Sequence, residues 1–242
     1  MTPYHGTPIG GSNQEAVRFL RGRHAFVSFA APGQLPIVAE VCQSFAFDNG
    51  AFSVWKRGAV LDVPGYLAWC HEWEHHPGFD WALIPDVIEG TAAENDAMLE
   101  RWTLPRHLGV PVWHLHEPVE RLRWLSGLWP RVALGSSGQW PTPGNDSWWD
   151  RMAEAMAAVD VGDGRPRCKL HGLRMLDPEI FSRLPLSSAD STNAAQNNCS
   201  TRVYQSPNAG TRAAIIAERI ECNNSAAAWT PNPQRDLWSL SS

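Results

Sequence analysis

The chain has no apolar run long enough for a helix to cross a bilayer, so no helical membrane span is expected. Its first residues, Met1-Thr2-Pro3-Tyr4-His5-Gly6, lack the basic and then apolar stretches of a secretion signal. Cysteine is scarce and scattered: Cys42, Cys70, Cys168, Cys199 and Cys222. An odd, dispersed set of 5 does not make a disulfide framework, and a reducing cytoplasm is the simple reading. Charge is also sparse, at 19% of residues with a formal net charge of -5. That argues against a surface coated with phosphate-binding charge, while leaving room for a local basic groove. Arg165, Arg167, Lys169, Arg174 and Arg183 lie close together in sequence, and Arg121 and Arg123 form a smaller group.

What is present is apolar bulk. Of 242 residues, 43% are hydrophobic, enough to bury one large core in one domain. We read residues 1–229 as a single catalytic barrel and 230–242, rich in Pro and Ser, as a surface tail. The 13 Trp are many for this length. Most belong to core and helix-to-sheet packing, where their area is useful, and a few are candidates to stack on bases.

Short apolar runs alternate with helical patterns along the chain. Strands are expected at Ala25–Ala30, Cys42–Phe47, Asp80–Pro85, Val110–Leu115, Arg131–Leu134, Arg167–Leu170 and Leu186–Ala189. Between them lie helix signals: Pro64 in a first turn, the Thr91/Glu94 capping box, and the apolar stripe Val119, Leu122, Leu125. Asn208 caps a last helix. Seven such units predict an α/β fold, a (β/α)8 TIM-type barrel with an incomplete or irregular eighth unit. An eighth strand is either short, near Arg202-Val203-Tyr204, or missing. An open doubly wound sheet is the runner-up, but no Gly-rich phosphate turn follows the first strand.

Polar residues follow the strands, and strand ends are where such folds keep their chemistry. Asp48 opens the stretch Asp48-Asn49-Gly50-Ala51-Phe52, and Asp190 stands between Ser187-Ser188-Ala189 and Ser191-Thr192-Asn193. Two carboxylates from two strand ends can divide the roles of nucleophile and acid/base. Asp86 ends the third strand, Gly135-Ser136-Ser137-Gly138 the fifth, and His171-Gly172 the sixth. Each Asp alone could equally be a cap or turn residue. His171 lines the pocket or serves structure. Tyr4-His5-Gly6-Thr7-Pro8 is either a lid that brings His5 over the site or a plain turn. His114-Leu115-His116-Glu117 sets two His on one strand face, which opens a rival reading as a metal-dependent barrel hydrolase.

Taken in order, these strand ends resemble the tRNA-guanine transglycosylase superfamily, and most of all its phage and genomic-island branch that inserts 7-deazaguanines into DNA. The resemblance runs from Tyr4 to about Asn198. Asp48-Asn49-Gly50-Ala51-Phe52 is similar to the family's Asp-Ser-Gly-Gly-Phe segment. It implies a proton-handling Asp48 and a base-contacting Phe52. Asp86 then matches the residue that grips the guanine edge. Gly135, with Ser136 beside it, matches the turn that offers backbone groups to the base. Asp190 matches the nucleophile, with Ser191 or Thr192 as expected hydrogen-bond donors to it. The implied activity is a pentosyltransferase: guanine in a nucleic acid is replaced by a free 7-deazaguanine such as preQ0 through a covalent Asp-sugar intermediate. No cofactor is called for. The family's zinc cluster is not expected, because only Cys199 and Cys222 follow the nucleophile strand and no His follows His171. The arginines that follow the nucleophile in the tRNA enzymes are replaced by Asn193, Ala194, Ala195 and Gln196. DNA is therefore the expected polymer, with tRNA second, in a cytoplasmic protein whose state as monomer or homodimer is left open.

Overall fold

The computed structural model describes residues 1–10, 12–197 and 208–231. Within them, nine strands form one all-parallel sheet. These are β1 (Thr2–Gly6), β2 (His24–Ser28), β3 (Ser44–Asp48), β4 (Phe79–Leu83), β5 (Gly109–Val110), β6 (Val112–His114), β7 (Arg131–Gly135), β8 (Lys169–Gly172) and β9 (Ser188–Ser191). Their order is β5-β4-β3-β2-β1-β9-β8-β7-β6. The two outer members, β5 and β6, are consecutive in the chain with only Pro111 between them. The sheet is therefore a nearly closed barrel. Proline explains the break: it has no N–H to give to the ladder. Its carbonyl still accepts a hydrogen bond from the Ala133 N–H at 2.9 Å.

The helices α1 (Asn13–Leu20), α2 (Leu35–Val41), α3 (Ala51–Lys56), α4 (Val63–Trp73), α5 (Ala92–Glu100), α6 (Val119–Leu128), α7 (Asp146–Val159), α8 (Pro178–Phe181), α9 (Asn193–Asn197) and α10 (Ala209–Glu221) lie between and after the strands. Side chains alternate across each strand. Outward residues such as Val27, Phe45, Phe47, Trp113, Leu134 and Leu170 meet the helices in a large buried layer. Inward residues form a smaller apolar cluster, with Tyr4, Phe26, Ala46, Trp81, Leu83 and Ala133 among them. The tryptophans divide accordingly: Trp81 lies inside the barrel, Trp113 of β6 and Trp148 and Trp149 of α7 are buried in the layer between sheet and helices, and Trp55 and Trp124 are exposed.

Two expectations change. Tyr4-His5-Gly6 is neither lid nor turn: it belongs to β1, which pairs with β2 on one side and β9 on the other. Thr2-Pro3-Tyr4-His5-Gly6 is short and carries Pro3 and a terminal Gly, so its strand character is weak until both neighbours are in place. The stretch near Arg202 proposed for the eighth strand lies outside the described residues, as does Cys199. The open-sheet alternative fails because the two ends of the strand order meet at Pro111. No described helix is long and apolar enough to cross a membrane.

Candidate active site at the carboxyl ends of the strands

Period-2 alternation decides which polar side chains reach the barrel mouth. In β3, Phe45 and Phe47 point outward, so Ser44, Ala46 and Asp48 share the inner face. Ala189 of β9 points outward, so Ser188 and Asp190 point inward. In β6, Trp113 faces the helices and His114 faces in. Asp48, Asp190 and His114 therefore point inward at one end of the barrel, and Asp86, just beyond β4, reaches the same end, where it meets His114 and Asn49.

Asp48 sits among two other carboxylates. Burial pushes its carboxyl up to about 6, and the charges of Asp190 and Asp86 add to that. Hydrogen bonds from the Ser28 hydroxyl and the Gly50 N–H oppose the rise without cancelling it. Part of Asp48 still reaches solvent. Gly50 makes the turn possible. Its φ is +78°, and a Cβ there would lie 3.1 Å from the Ala30 Cβ. The chain turns after Asp48-Asn49 and enters α3.

Asp190 is buried, and its Oδ1 accepts a hydrogen bond from the Arg174 backbone N–H at 3.0 Å. Oδ2 accepts none. Ser191, an expected donor to Asp190, instead accepts from the Asn193 N–H at the start of α9. His171 Nε2 lies 3.3 Å from Asp190 Oδ1. The approach is not aligned as a hydrogen bond. His171 is fully enclosed, and burial holds its pKa below the usual imidazole range despite the pull of Asp190. The ring is therefore neutral at pH 7, anchored through Nδ1 to Ser188 Oγ at 2.9 Å.

Asp86 is the middle of a chain of polar groups. Its Oδ1 accepts from Asn49 Nδ2 at 2.7 Å, and its Oδ2 lies 2.8 Å from His114 Nε2. Asn49 also donates to the Ile84 carbonyl and accepts from the Ala51 N–H, which fixes its amide. An ionised Asp86 requires the proton on His114 Nε2. That leaves His114 Nδ1 as a buried acceptor with no hydrogen-bond partner.

The remaining candidates separate. Gly135 lies at the mouth, but a Cβ there would come 3.2 Å from His114 Nδ1, and its carbonyl accepts from the Leu115 N–H. It makes room for an imidazole. Ser136 Oγ accepts from Trp148 Nε1 at 2.9 Å and so holds α7 to the loop. His5 is on the outer face of β1: Nε2 is 2.8 Å from Glu221 and the ring packs on Phe19, so it is apart from the mouth. Phe52 is exposed on α3, with the Arg174 guanidinium 4.8 Å over its ring and Trp55 beside it. That pair forms a rim above the carboxylates. The basic run does not stay together. Arg167 and Lys169 line a cavity of about 480 Å³ at the strand starts, and Arg121 is buried on Glu117. Arg174 alone of that run is placed at the rim by these contacts.

Sequence reasoning did not single out Asn49, placed Arg174 only within a possible basic groove, and considered His114 only in the rival metal reading. Asn49 follows Asp48 directly, so proximity was its signal. Arg174 has a φ of 60°, unusual for a side-chain-bearing residue, and nothing in the sequence announces it. His114 and His116 stack 5.5 Å apart, but they are held separately. His116 contacts Ser137 Oγ and the Gly90 carbonyl, and Glu117 turns away to Arg121 and Asn95. Among the described residues, no three His, Cys, Asp or Glu converge as metal ligands.

Comparison with known proteins adds no name to this geometry: no protein-family model matches the chain, and no curated protein matches it.

Proposed function

We propose that the chain is a guanine transglycosylase that exchanges guanine in DNA for a free 7-deazaguanine. In this reading β5 and β6 count as one strand broken at Pro111, which makes the barrel a TIM-type (β/α)8 fold. The observation that carries it is the convergence of Asp48, Asp86 and Asp190 from three separate strand ends, close enough for both other carboxylates to raise Asp48. Paired carboxylates of unlike environment are what double displacement at a sugar carbon needs.

Asp190 Oδ2 is the nucleophile, since Oδ1 is tied to the Arg174 N–H. It attacks C1′ as the C1′–N9 bond to guanine breaks, with the charge spread over an oxocarbenium-like state. Protonated Asp48 gives its proton to the departing base. The carboxylate it becomes then takes the ring N–H proton of the incoming 7-deazaguanine. That nitrogen attacks C1′, and the C1′–Oδ2 bond breaks. A carboxyl titrating near 6 can hold either form near neutral pH. Asp86 accepts hydrogen bonds from the N1–H and 2-amino group of the base, oriented by Asn49 and His114. Phe52, under Arg174, offers a stacking face to a base drawn out of the duplex.

The deciding experiment incubates the protein with labelled guanine or preQ0 and either DNA or tRNA. Label should enter DNA. Label entering tRNA alone, or neither polymer, contradicts the proposal.

A further inference from the structure

The opposite end of the barrel holds a second polar site. The inner faces of β1, β2, β3, β4 and β7 bring Tyr4, His24, Ser44, Asp80, Trp81 and Arg131 around one cavity of about 390 Å³. That volume lies within the range of about 300–1,000 Å³ common for small-ligand sites. Strand starts in such barrels ordinarily serve stability. Here they carry an acid, a base and an imidazole around open space.

The hydrogen-bond pattern of the cavity is directional. Asp80 Oδ2 accepts from the Tyr4 hydroxyl at 2.5 Å and from Ser44 Oγ. Burial, reinforced by Asp80, holds the Tyr4 phenol protonated well above its ordinary range, so it remains a donor. Among the described residues, none donates a hydrogen bond to Asp80 Oδ1. Ser44 gives its proton to Asp80, so its oxygen accepts from His24 Nδ1 at 2.7 Å. Burial keeps the His24 pKa below its ordinary value, and the neutral ring then presents Nε2 as a bare acceptor. Facing these acceptors is one cation. The Arg131 guanidinium lies 5.0 Å over the buried Trp81 ring, and its buried Nη1 has no hydrogen-bond partner among the described residues. A buried guanidinium donor left unmade is costly, and a ligand oxygen would satisfy it.

Acceptors on one side and an unsatisfied cation on the other fit a molecule with an ammonium and a carboxylate. We propose that this cavity is a second ligand site, distinct from the candidate active site, that binds a free zwitterionic α-amino acid. The carboxylate lies on the Arg131 guanidinium, and the ammonium lies between Asp80 Oδ1 and His24 Nε2.

Calorimetric titration of the full chain with glycine and L-alanine, beside acetate, methylammonium and inorganic phosphate, tests it. Both amino acids should bind saturably and more tightly than the three fragments. Arg131→Met and Asp80→Asn should each weaken glycine binding by about tenfold or more, as expected for loss of one charged hydrogen bond. Arg131→Lys keeps the charge and serves if Arg131→Met fails to fold; it should weaken glycine less than a neutral residue would. Asp190→Asn, at the other end of the barrel, should leave glycine affinity unchanged. No saturable heat with either amino acid overturns the proposal. So does acetate or phosphate binding as tightly as glycine, glycine affinity undiminished in the Arg131 and Asp80 variants, or glycine affinity lost in Asp190→Asn.

Discussion

His171 Nε2 lies 3.3 Å from Asp190 Oδ1 while Nδ1 of the same ring is held at 2.9 Å by Ser188 Oγ. The β8–β9 register sets this contact, because it pairs His171 with Ser188 and sets Asp190 one inward step further along β9. The ring also meets Trp81 edge-on at 4.8 Å, so it spans from the barrel core to the carboxylate. His171→Ala would leave a buried void beside Trp81 and free Asp190 to reorient. Exchange activity should fall by at least tenfold, and urea unfolding should show a loss of about 2 kcal/mol or more. A variant with wild-type activity would remove His171 from the site.

Asp48 should write its titration into both stability and rate. Its folded pKa, about 6, lies above the ordinary 3.8. The stabilisation from this group is therefore fully present below about pH 4 and is lost as the pH rises through 6. Asp48→Asn has no such loss. Relative to wild type it should gain stability between pH 4 and 6 and level off above, by no more than about 3 kcal/mol. Urea unfolding across that pH range measures the gain, and a flat difference between the two proteins would refute the account of Asp48. The exchange rate of wild type should show an inflection near pH 6 that Asp48→Asn lacks.

Asp86 connects two neighbours, so its removal is not silent. Asp86→Ala leaves the His114 Nε2–H and one Asn49 donor without an acceptor, which should cost about 1–3 kcal/mol. Asp86→Asn keeps the shape and should weaken preQ0 binding by about tenfold at smaller structural cost. Unchanged affinity for preQ0 in a folded Asp86→Asn protein would take Asp86 out of base recognition.

Glu117 holds the loop after β6 in place. It is buried, and its carboxylate accepts from Arg121 Nη1, Asn95 Nδ2 and the His114 N–H. Glu117→Ala removes one of the two carboxylates on the buried Arg121, which keeps Asp96, and leaves the Asn95 and His114 donors without their acceptor; it should destabilise by about 1–3 kcal/mol. Thermal and urea unfolding would show it. A loss below about 1 kcal/mol would mean that the pair does not hold the loop.

Much of the barrel was legible because strands and helices have different periods. Runs such as Ala25-Phe26-Val27 and Val132-Ala133-Leu134 are buried on both faces and read as parallel strands. β1 was not legible, since Pro3, His5 and Gly6 carry little strand signal and its support comes from β2 and β9. Asp48 and Asp190 were legible as polar residues at the ends of apolar runs. The hydrogen-bonded chain Asn49–Asp86–His114 was not, because its members lie 37 and 28 residues apart and meet only when the sheet closes. His5 was misplaced because Tyr4–Pro8 was read as a lid or a turn; in β1 it points outward, to Glu221 and Phe19.

The proposed nucleophile, Asp190, has one oxygen anchored by the Arg174 N–H and one that accepts no hydrogen bond among the described residues. Asp190→Asn keeps the side chain's shape and its acceptor for the Arg174 N–H, and removes the charge to which the proposal assigns the attack on C1′. The direct measurement pairs two readouts on folded protein: incorporation of labelled preQ0 into DNA, and the denaturant-resistant protein–DNA adduct formed when the incoming base is withheld. The account predicts that wild type shows both and that Asp190→Asn shows neither while still binding base and DNA. Exchange by Asp190→Asn at close to the wild-type rate would contradict it and pass the role of nucleophile to Asp48.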